Sequence, residues 1–292
     1  GICNFLKSIN KKKEISVVIG HDCRNNGKKL QKIVCNVFSA NGVKIYMFDS
    51  LKPTPLISFA VRYLNCNCGI VLTASHNPAE YNGYKVYWED GGQIVPPIDK
   101  KLMTEIDKVK YSDINFKGNT KLIELLDEKI DETYIKKSLS FVKSISSKTD
   151  LKNLKIVFTS LHGTSYKLLP ELLKKSGFND LKLVDNQMNP DGNFTNVNSS
   201  NPEDSSSLLE AIELAKRYNS DLVIGTDPDA DRFGVAVKDL DNEFVHINGN
   251  QSMVVMTDYI ISKYRVIKKN SFIASTVVST PMMNKIANEN NI

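Results

Sequence analysis

The sequence predicts an α/β protein made of consecutive βα domains with mainly parallel mixed sheets. Short apolar runs alternate with longer segments whose apolar residues recur at three- and four-residue spacing, the pattern of strands connected by helices. The 292 residues, 41% of them hydrophobic, exceed one typical domain. We therefore expect domains at residues 1–148 and 149–241 and the start of a third, incomplete domain at residues 242–292.

The first domain opens on an apolar strand and continues as a βα repeat. Strands are predicted at residues 15–19, 43–48 and 69–72, and helices at 28–40 and 53–64. The pattern at residues 84–88 and 93–95, joined by a turn rich in glycine, predicts a hairpin at the edge of the sheet. Residues 98–148 are rich in lysine and leucine at helical spacing, and a linker is expected at 144–152.

The second domain repeats this order around a long polar segment. Strands are predicted at residues 155–159, 181–184, 222–224 and 233–237, with a helix ending at Gly177. Residues 186–204 are predicted to be a long loop, after which Asp204 or Ser205 caps a further helix. The third unit is expected to contain a strand, a helix at 251–264 and a buried strand at 273–278.

Composition and charge narrow the function classes. The net charge of +5 comes from dispersed lysines without an aromatic stripe, which does not favour nucleic-acid binding. The five cysteines lack metal-ligand spacing and predict a reduced cytoplasmic protein. No apolar stretch reaches the roughly 18 residues that span a membrane, and no secretion signal is recognisable. A mildly basic balance is compatible with small anionic substrates.

Residues 73–78, Thr-Ala-Ser-His-Asn-Pro, directly follow the strand predicted at 69–72. Ser75 is therefore expected on a loop at the carboxyl end of a buried strand, where α/β folds bind ligands. Such a serine is positioned to be modified or to attack a substrate.

Residues 225–232, Gly-Thr-Asp-Pro-Asp-Ala-Asp-Arg, form a loop between two predicted strands. In an extended backbone, alternate residues point the same way, so Asp227, Asp229 and Asp231 are expected to aim three carboxylates at one point. Converging carboxylates repel each other unless a cation neutralises them, and oxygen ligands suit Mg²⁺. A phosphate oxygen on Ser75 would be a fourth ligand.

Two other interpretations fit these loops less well. An EF-hand also begins with alternating Asp residues, but Arg232 stands where glycine is needed and Lys238 where glutamate is needed. A Ser–His hydrolase would need glycines in place of Thr73 and Asn77. Adjacent side chains, such as those of a serine and the following histidine, are also not expected to face each other.

The two loops, in this order and at this separation, resemble the α-D-phosphohexomutase superfamily of phosphoglucomutases and phosphomannomutases. Further similar stretches lie at residues 20–24, 82–87, 161–164, 191–194 and 201–203. The extension at residues 87–94 is most similar to the phosphoglucomutase/phosphopentomutase branch. The resemblance implies a phosphohexomutase-like fold, truncated before the last domain, because no later sugar-recognition loop or C-terminal phosphate-binding domain is matched.

The activity that the resemblance implies is the interconversion of sugar 1-phosphates and 6-phosphates (or 5-phosphates). Ser75 would carry the phosphoryl group, Mg²⁺ would be the metal, and glucose 1,6-bisphosphate or a similar sugar bisphosphate would be the activator. Phosphoglucomutase is favoured, with phosphomannomutase or phosphopentomutase as alternatives, and the 292 residues alone are expected to turn over poorly. A non-catalytic phosphoserine and metal-binding module is the alternative from another class.

The remaining site residues follow from the same resemblance. Arg232 would contact phosphate, and Arg24 would be a second phosphate contact or another active-site contact. Lys85 would approach the transferring group as a candidate general base. His76 would assist beside the serine, and His162 would line the cleft. For the lysine and the arginines the alternative is a solvated surface charge, and for His162 it is a hydrogen-bonded loop residue.

Overall fold

The computed structural model of the protein describes residues 1–10, 14–145, 153–263 and 271–292. Two five-stranded sheets organise these residues, each flanked by helices. This architecture confirms the predicted α/β class. The boundary predicted after residue 148, and most of the linker predicted at 144–152, lie outside the described residues.

The first sheet has the strand order β4-β3-β1-β2-β5. Its strands are β1 Ser16–His21, β2 Lys44–Phe48, β3 Cys68–Leu72, β4 Tyr84–Trp88 and β5 Ile123–Leu126. All pairings are parallel except that of the edge strand β4 with β3. Every residue of β3 is buried, which explains why its sequence is continuously apolar rather than alternating.

Helices cover both faces of this sheet. They are α1 Ile2–Ile9, α2 Gly27–Ala40, α3 Thr54–Tyr63, α4 Ile98–Asp107 and α5 Lys129–Ile145. Apolar residues of α1 and α2 pack on one face, against Val17, Ile19 and Ile70. The α3 residues Leu56 and Ile57 pack on the other face, together with residues of α5. The sheet is therefore the centre of a three-layer unit.

The second sheet has the order β10-β9-β8-β6-β7. Its strands are β6 Lys155–Thr159, β7 Asp180–Leu183, β8 Leu222–Thr226, β9 Phe233–Lys238 and β10 Phe244–Ile247. The pairs of β6 with β7 and β8 are parallel, whereas β8–β9 and β9–β10 are antiparallel. Strand β10 pairs with β9 of this sheet, although the third unit was expected to begin at residue 242. The boundary after residue 241 stays a prediction.

The helices after residue 153 are α6 Leu168–Lys175, α7 Asp185–Met188, α8 Leu209–Tyr218, α9 Gly249–Lys263 and α10 Met282–Glu289. A 3-10 turn at Ser205–Leu208 precedes α8, and the side chain of Asp204 accepts a hydrogen bond from the backbone of Ser206. The cap predicted at Asp204 is therefore confirmed. None of the helices in the described ranges is both long and apolar enough to cross a membrane.

Five features differ from the predicted elements, and the first is the short helix α7, most of which lies in the loop predicted at residues 186–204. The helix α1 was not predicted, although Cys3 and Leu6 are buried in the first core. The strand β5 lies inside a segment predicted to be helical, because a four-residue edge strand leaves too short a pattern to be recognised. The predicted strand at 93–95 is reduced to a single bridge between Tyr87 and Gln93. The buried strand predicted at 273–278 is wrong: those residues form no strand and are largely exposed, since no described strand pairs with them.

Candidate functional site

The loop that follows β3 holds Ser75 in a left-handed backbone conformation, with φ of 54°. This conformation is costly for a residue with a side chain, so surrounding contacts must maintain it. The hydroxyl of Thr73 accepts a hydrogen bond from the backbone N–H of Ser75 at 2.8 Å. The N–H of Asn77 donates to the carbonyl of Ala74 at 3.1 Å, which closes the turn. Ser75 thus lies on a tight loop at the carboxyl end of a buried strand.

The side chain of Arg24 binds the backbone of this loop. Its guanidinium donates to the carbonyl oxygens of Pro78, Tyr81, Ser75 and Asn77, with donor–acceptor distances of 2.7, 2.9 and 2.8 Å for the first three. These four bonds use all the terminal N–H groups of the side chain. Of the two contacts expected of Arg24, with phosphate or with another part of the active site, this geometry provides the second, because the buried guanidinium has no terminal donor left for a ligand.

The aspartate loop connects β8 to the antiparallel strand β9, as predicted for a loop between strands. Its backbone is not extended, however, so the expected alternation is wrong. The N–H of Ala230 donates to the carbonyl of Asp227 at 2.9 Å, and Ala230 has a φ of 55°. The N–H of Arg232 donates to Oδ1 of Asp227 at 3.0 Å. A turn therefore brings the carboxylates together.

The three carboxylates form one cluster. Single oxygens of Asp227, Asp229 and Asp231 all lie within 4.8 Å of one another. The first two residues are fully buried, and the third is exposed. No N–H or O–H of the described residues donates to the buried Oδ1 of Asp229. A buried carboxylate oxygen without a donor, beside two further carboxylates, fits a hard divalent cation.

The serine and the aspartate cluster meet across the two units. The hydroxyl of Ser75 donates to Oδ2 of Asp227 at 2.8 Å, although the two residues are 152 positions apart. Nδ1 of His76 lies 3.3 Å from the same hydroxyl. The expectation that these neighbouring side chains would not face each other is thus wrong, because the left-handed backbone at Ser75 turns them to the same side.

Lys85, on the edge strand β4, reaches the same cluster. Its Nζ lies 2.8 Å from Oδ2 of Asp229 and 2.9 Å from Oδ2 of Asp231. Burial alone would lower the pKa of Lys85, but the two carboxylates raise it above its ordinary value. The depressed pKa that a general base would need is therefore absent in this arrangement, and Lys85 is held as an ammonium.

Charge and burial shift the pKa values of the two buried carboxyls in opposite directions. Burial, together with the negative charge of Asp229, raises the pKa of Asp227 above its usual range. Burial also acts to raise the pKa of Asp229, but the Lys85 ammonium and the Thr54 hydroxyl hold it below its ordinary value. Asp229 is therefore the ionised partner of the pair, and Asp227 is the carboxyl that resists a second buried negative charge.

The other two predicted residues lie at the margins. The side chain of Arg232 is nearly half exposed, and its Nε is 3.9 Å from Oδ1 of Asp231. Burial and the positive charge of Arg232 lower the pKa of His76. His162 is buried, with Nδ1 2.7 Å from the carbonyl of Asn189. The structure therefore favours the alternative of a hydrogen-bonded loop residue for His162.

Two residues of the site were not predicted. The hydroxyl of Thr54 donates to Oδ2 of Asp229 at 2.7 Å, and its backbone N–H donates to the carbonyl of the same residue at 2.8 Å. The hydroxyl of Ser200 donates to the carbonyl of His76 at 2.7 Å. Each joins one unit to a loop of the other. The only sequence signal was position: Thr54 is the second residue of the helix predicted at 53–64, and Ser200 lies in the polar segment at 186–204.

Comparison with known proteins places both units in one protein family. The family described as phosphoglucomutase/phosphomannomutase matches with its alpha/beta/alpha domain I over residues 1–113 and its domain II over residues 132–241. The phosphoglucomutase of Staphylococcus epidermidis RP62A is 38% identical over 281 residues, covering 94% of this chain and 50% of the relative. That of Staphylococcus aureus N315 is 39% identical, covering 95% and 50%. The chain thus spans about half the length of the curated relatives it matches.

Solved structures share the fold. A putative phosphomannomutase from Thermus thermophilus superposes with a TM-score of 0.73 at 24% identity, covering 89% of this chain and 56% of that one. The phosphoprotein pp63/parafusin, a phosphoglucomutase from Paramecium, superposes with a TM-score of 0.68 at 19% identity, covering 100% and 56%. Both of the family's first two domains are matched in order, and the chain belongs to the phosphoglucomutase/phosphomannomutase family of the α-D-phosphohexomutase superfamily.

Proposed function

We propose that the protein acts as a phosphosugar mutase that interconverts sugar 1-phosphates and 6-phosphates, with glucose phosphates as the favoured substrates. The observation that carries the proposal is the 2.8 Å contact between the Ser75 hydroxyl and Asp227, within a cluster of three carboxylates. Phosphoryl transfer depends mainly on alignment and on neutralisation of charge. A serine held rigidly beside a cation site meets both needs.

Ser75 carries the phosphoryl group in this proposal. A sugar hydroxyl attacks the phosphorus and gives up its proton, the bond from phosphorus to Oγ of Ser75 breaks, Oγ takes up a proton, and the sugar monophosphate becomes a bisphosphate. After the bisphosphate has turned round, Oγ gives up its proton and attacks the other phosphorus of the bisphosphate. The bond from that phosphorus to the sugar oxygen breaks, and the sugar oxygen takes up a proton, which leaves the isomeric monophosphate and restores the phosphoserine. Mg²⁺ held by Asp227, Asp229 and Asp231 would neutralise charge on the transferring group.

Lys85 has two tasks that exclude each other. While its ammonium bonds Asp229 and Asp231, it occupies carboxylate oxygens that a cation would use. When those oxygens bind a cation instead, the ammonium is released and can face the phosphoryl group. Proton transfer at Nζ becomes possible only then, because the carboxylates no longer raise the pKa of Lys85. The edge position on β4, with its side chain partly exposed, leaves room for this change.

Lys85→Met is expected to tighten Mg²⁺ binding by about tenfold while slowing phosphoryl transfer. The variant removes the ammonium that competes with the metal for the same oxygens, and such coupling between competing charges is commonly of this size. Isothermal titration of the metal measures the first effect without any turnover. Lys52→Met is the matched control. Nζ of Lys52 also pairs with a carboxylate, lying 2.6 Å from Oδ2 of Asp131, but that carboxylate is not part of the cluster. Unchanged or weaker metal affinity in Lys85→Met would contradict the competition.

The proposed function is tested by incubating the protein with glucose 1,6-bisphosphate and Mg²⁺ and measuring the intact mass and the phosphopeptides. We expect one added phosphate, located on Ser75. Mannose and pentose bisphosphates, offered in parallel, distinguish phosphomannomutase and phosphopentomutase specificity. If no sugar bisphosphate phosphorylates Ser75 although Mg²⁺ binds, the protein is instead a non-catalytic metal-binding module.

A further inference from the structure

The segment at residues 191–196 forms a self-capped turn that contacts the first unit. The carboxylate of Asp191 accepts hydrogen bonds from the backbone N–H groups of Asn193 and Thr195, at 2.9 and 3.1 Å, and from the Thr195 hydroxyl at 2.5 Å. Within this turn Phe194 has a φ of 53°, which is unfavourable for an aromatic residue. Its side chain is nevertheless only 8% exposed. The turn therefore holds a strained residue in order to bury its ring.

The ring of Phe194 is buried against the guanidinium of Arg24. Cζ of Arg24 lies over the ring, 5.2 Å from its centroid. The terminal N–H groups of Arg24 all donate to carbonyls of the serine loop, while its Nε faces the buried carboxylate of Asp22 at 3.3 Å. The ring thus adds a cation–π contact without taking a hydrogen-bond donor from the loop.

A second contact seats the same turn on the first unit. A Cβ atom added to Gly192 would lie only 2.6 Å from the backbone nitrogen of Asn25, so the backbones approach as closely as glycine allows. The side chain of Asn25 also donates to that of Asn193 at 2.7 Å. Asn25 directly follows Arg24 in the chain. The turn therefore contacts both Arg24 and the residue that follows it in the first unit.

We propose that Phe194 is a positioning residue for phosphoryl transfer: its ring fixes the guanidinium of Arg24, which in turn keeps the loop of Ser75 in its left-handed conformation. The catalytic part of this inference rests on the proposed function, whereas the ordering of the loop does not. Arg24 contacts four carbonyls but not the reacting atoms, so its effect, like that of Phe194, reaches the serine through the loop. The alignment of the serine thus depends on contacts from both units.

The first test is hydrogen exchange of the metal-free protein, without any sugar phosphate. Phe194→Ala is expected to raise exchange in residues 74–82 by about tenfold, the factor that corresponds to loss of a desolvated cation–π contact. Phe194→Tyr keeps an aromatic face and should restore protection. Phe244→Ala, which removes a partly buried ring from the far end of the second sheet, is the control and should leave residues 74–82 unchanged.

The second test measures phosphate incorporation from glucose 1,6-bisphosphate. Phe194→Ala should lower the maximal rate by about tenfold and leave the half-saturating concentration unchanged, with recovery in Phe194→Tyr. Unchanged exchange in residues 74–82 would overturn the proposal, as would equal rates in all variants. If the wild-type protein takes up no phosphate but the exchange difference persists, the proposed function fails and the loop support stands. Should Phe194→Ala fail to fold, Asn193→Ala decides the matter by the same exchange measurement.

Discussion

Ser75→Ala is expected to abolish phosphate incorporation from a sugar bisphosphate, with a loss of roughly 10⁴-fold or more, as is typical when a nucleophile is removed. The alanine methyl group cannot carry a phosphoryl group, and the hydroxyl that bonds Asp227 and faces His76 is lost. The measurement is the time course of intact mass at saturating Mg²⁺ and glucose 1,6-bisphosphate.

Ser200→Ala provides the informative control for this result. Its hydroxyl is also at the junction of the two units, but it donates to the carbonyl of His76 rather than to a carboxylate. Loss of one neutral hydrogen bond costs about 1 kcal/mol. Ser200→Ala should therefore still become phosphorylated, more slowly than the wild type. Phosphate that persists in Ser75→Ala, or that disappears in Ser200→Ala alone, would assign the carrier to another residue.

The two loops of the site were predictable from the sequence because each is a local pattern. An apolar run followed by Thr-Ala-Ser-His-Asn-Pro placed Ser75 at the end of β3, and the spacing of three aspartates in a loop between strands indicated a cluster. Their meeting across 152 residues was expected because a phosphate oxygen on Ser75 suits the aspartates as a fourth ligand, and because the two loops together resemble one family. Nothing in either pattern alone brings one loop to the other.

The role of Arg24 shows why the rest was not predictable. The position of an arginine after a strand does not reveal whether its guanidinium faces a ligand or, as here, backbone carbonyls 51 to 57 residues away. Tertiary packing decides which of the two occurs. Likewise, the aspartates converge through a turn with a left-handed alanine, which no residue-type preference would have indicated at Ala230. Short edge strands such as β5 fail for a related reason, since their pairing partner and not their own pattern makes them strands.

Asp229→Asn is expected to weaken Mg²⁺ binding by about 100-fold or more. Asp229 is fully buried, it is the carboxyl that its surroundings keep ionised, and its Oδ1 receives no donor from the described residues. Asparagine retains an oxygen that can accept from the Thr54 hydroxyl, so the junction between the units is preserved while the charge is lost. Ligand changes at or near a metal commonly cost 10–100-fold in affinity, and this one removes a charge as well.

The readout is the rise in melting temperature on adding Mg²⁺, because a cation that binds only the folded protein stabilises it in proportion to the logarithm of its concentration over Kd. At a concentration that saturates the wild type, Asp229→Asn should show almost no rise. Asp241→Asn makes the same replacement in an exposed turn of the same unit, away from the cluster, and should behave like the wild type. An undiminished rise in Asp229→Asn would mean that the cation binds elsewhere. The cluster would then be an internal ion pair with Lys85, supported by the hydroxyls of Ser75 and Thr54, rather than a metal centre.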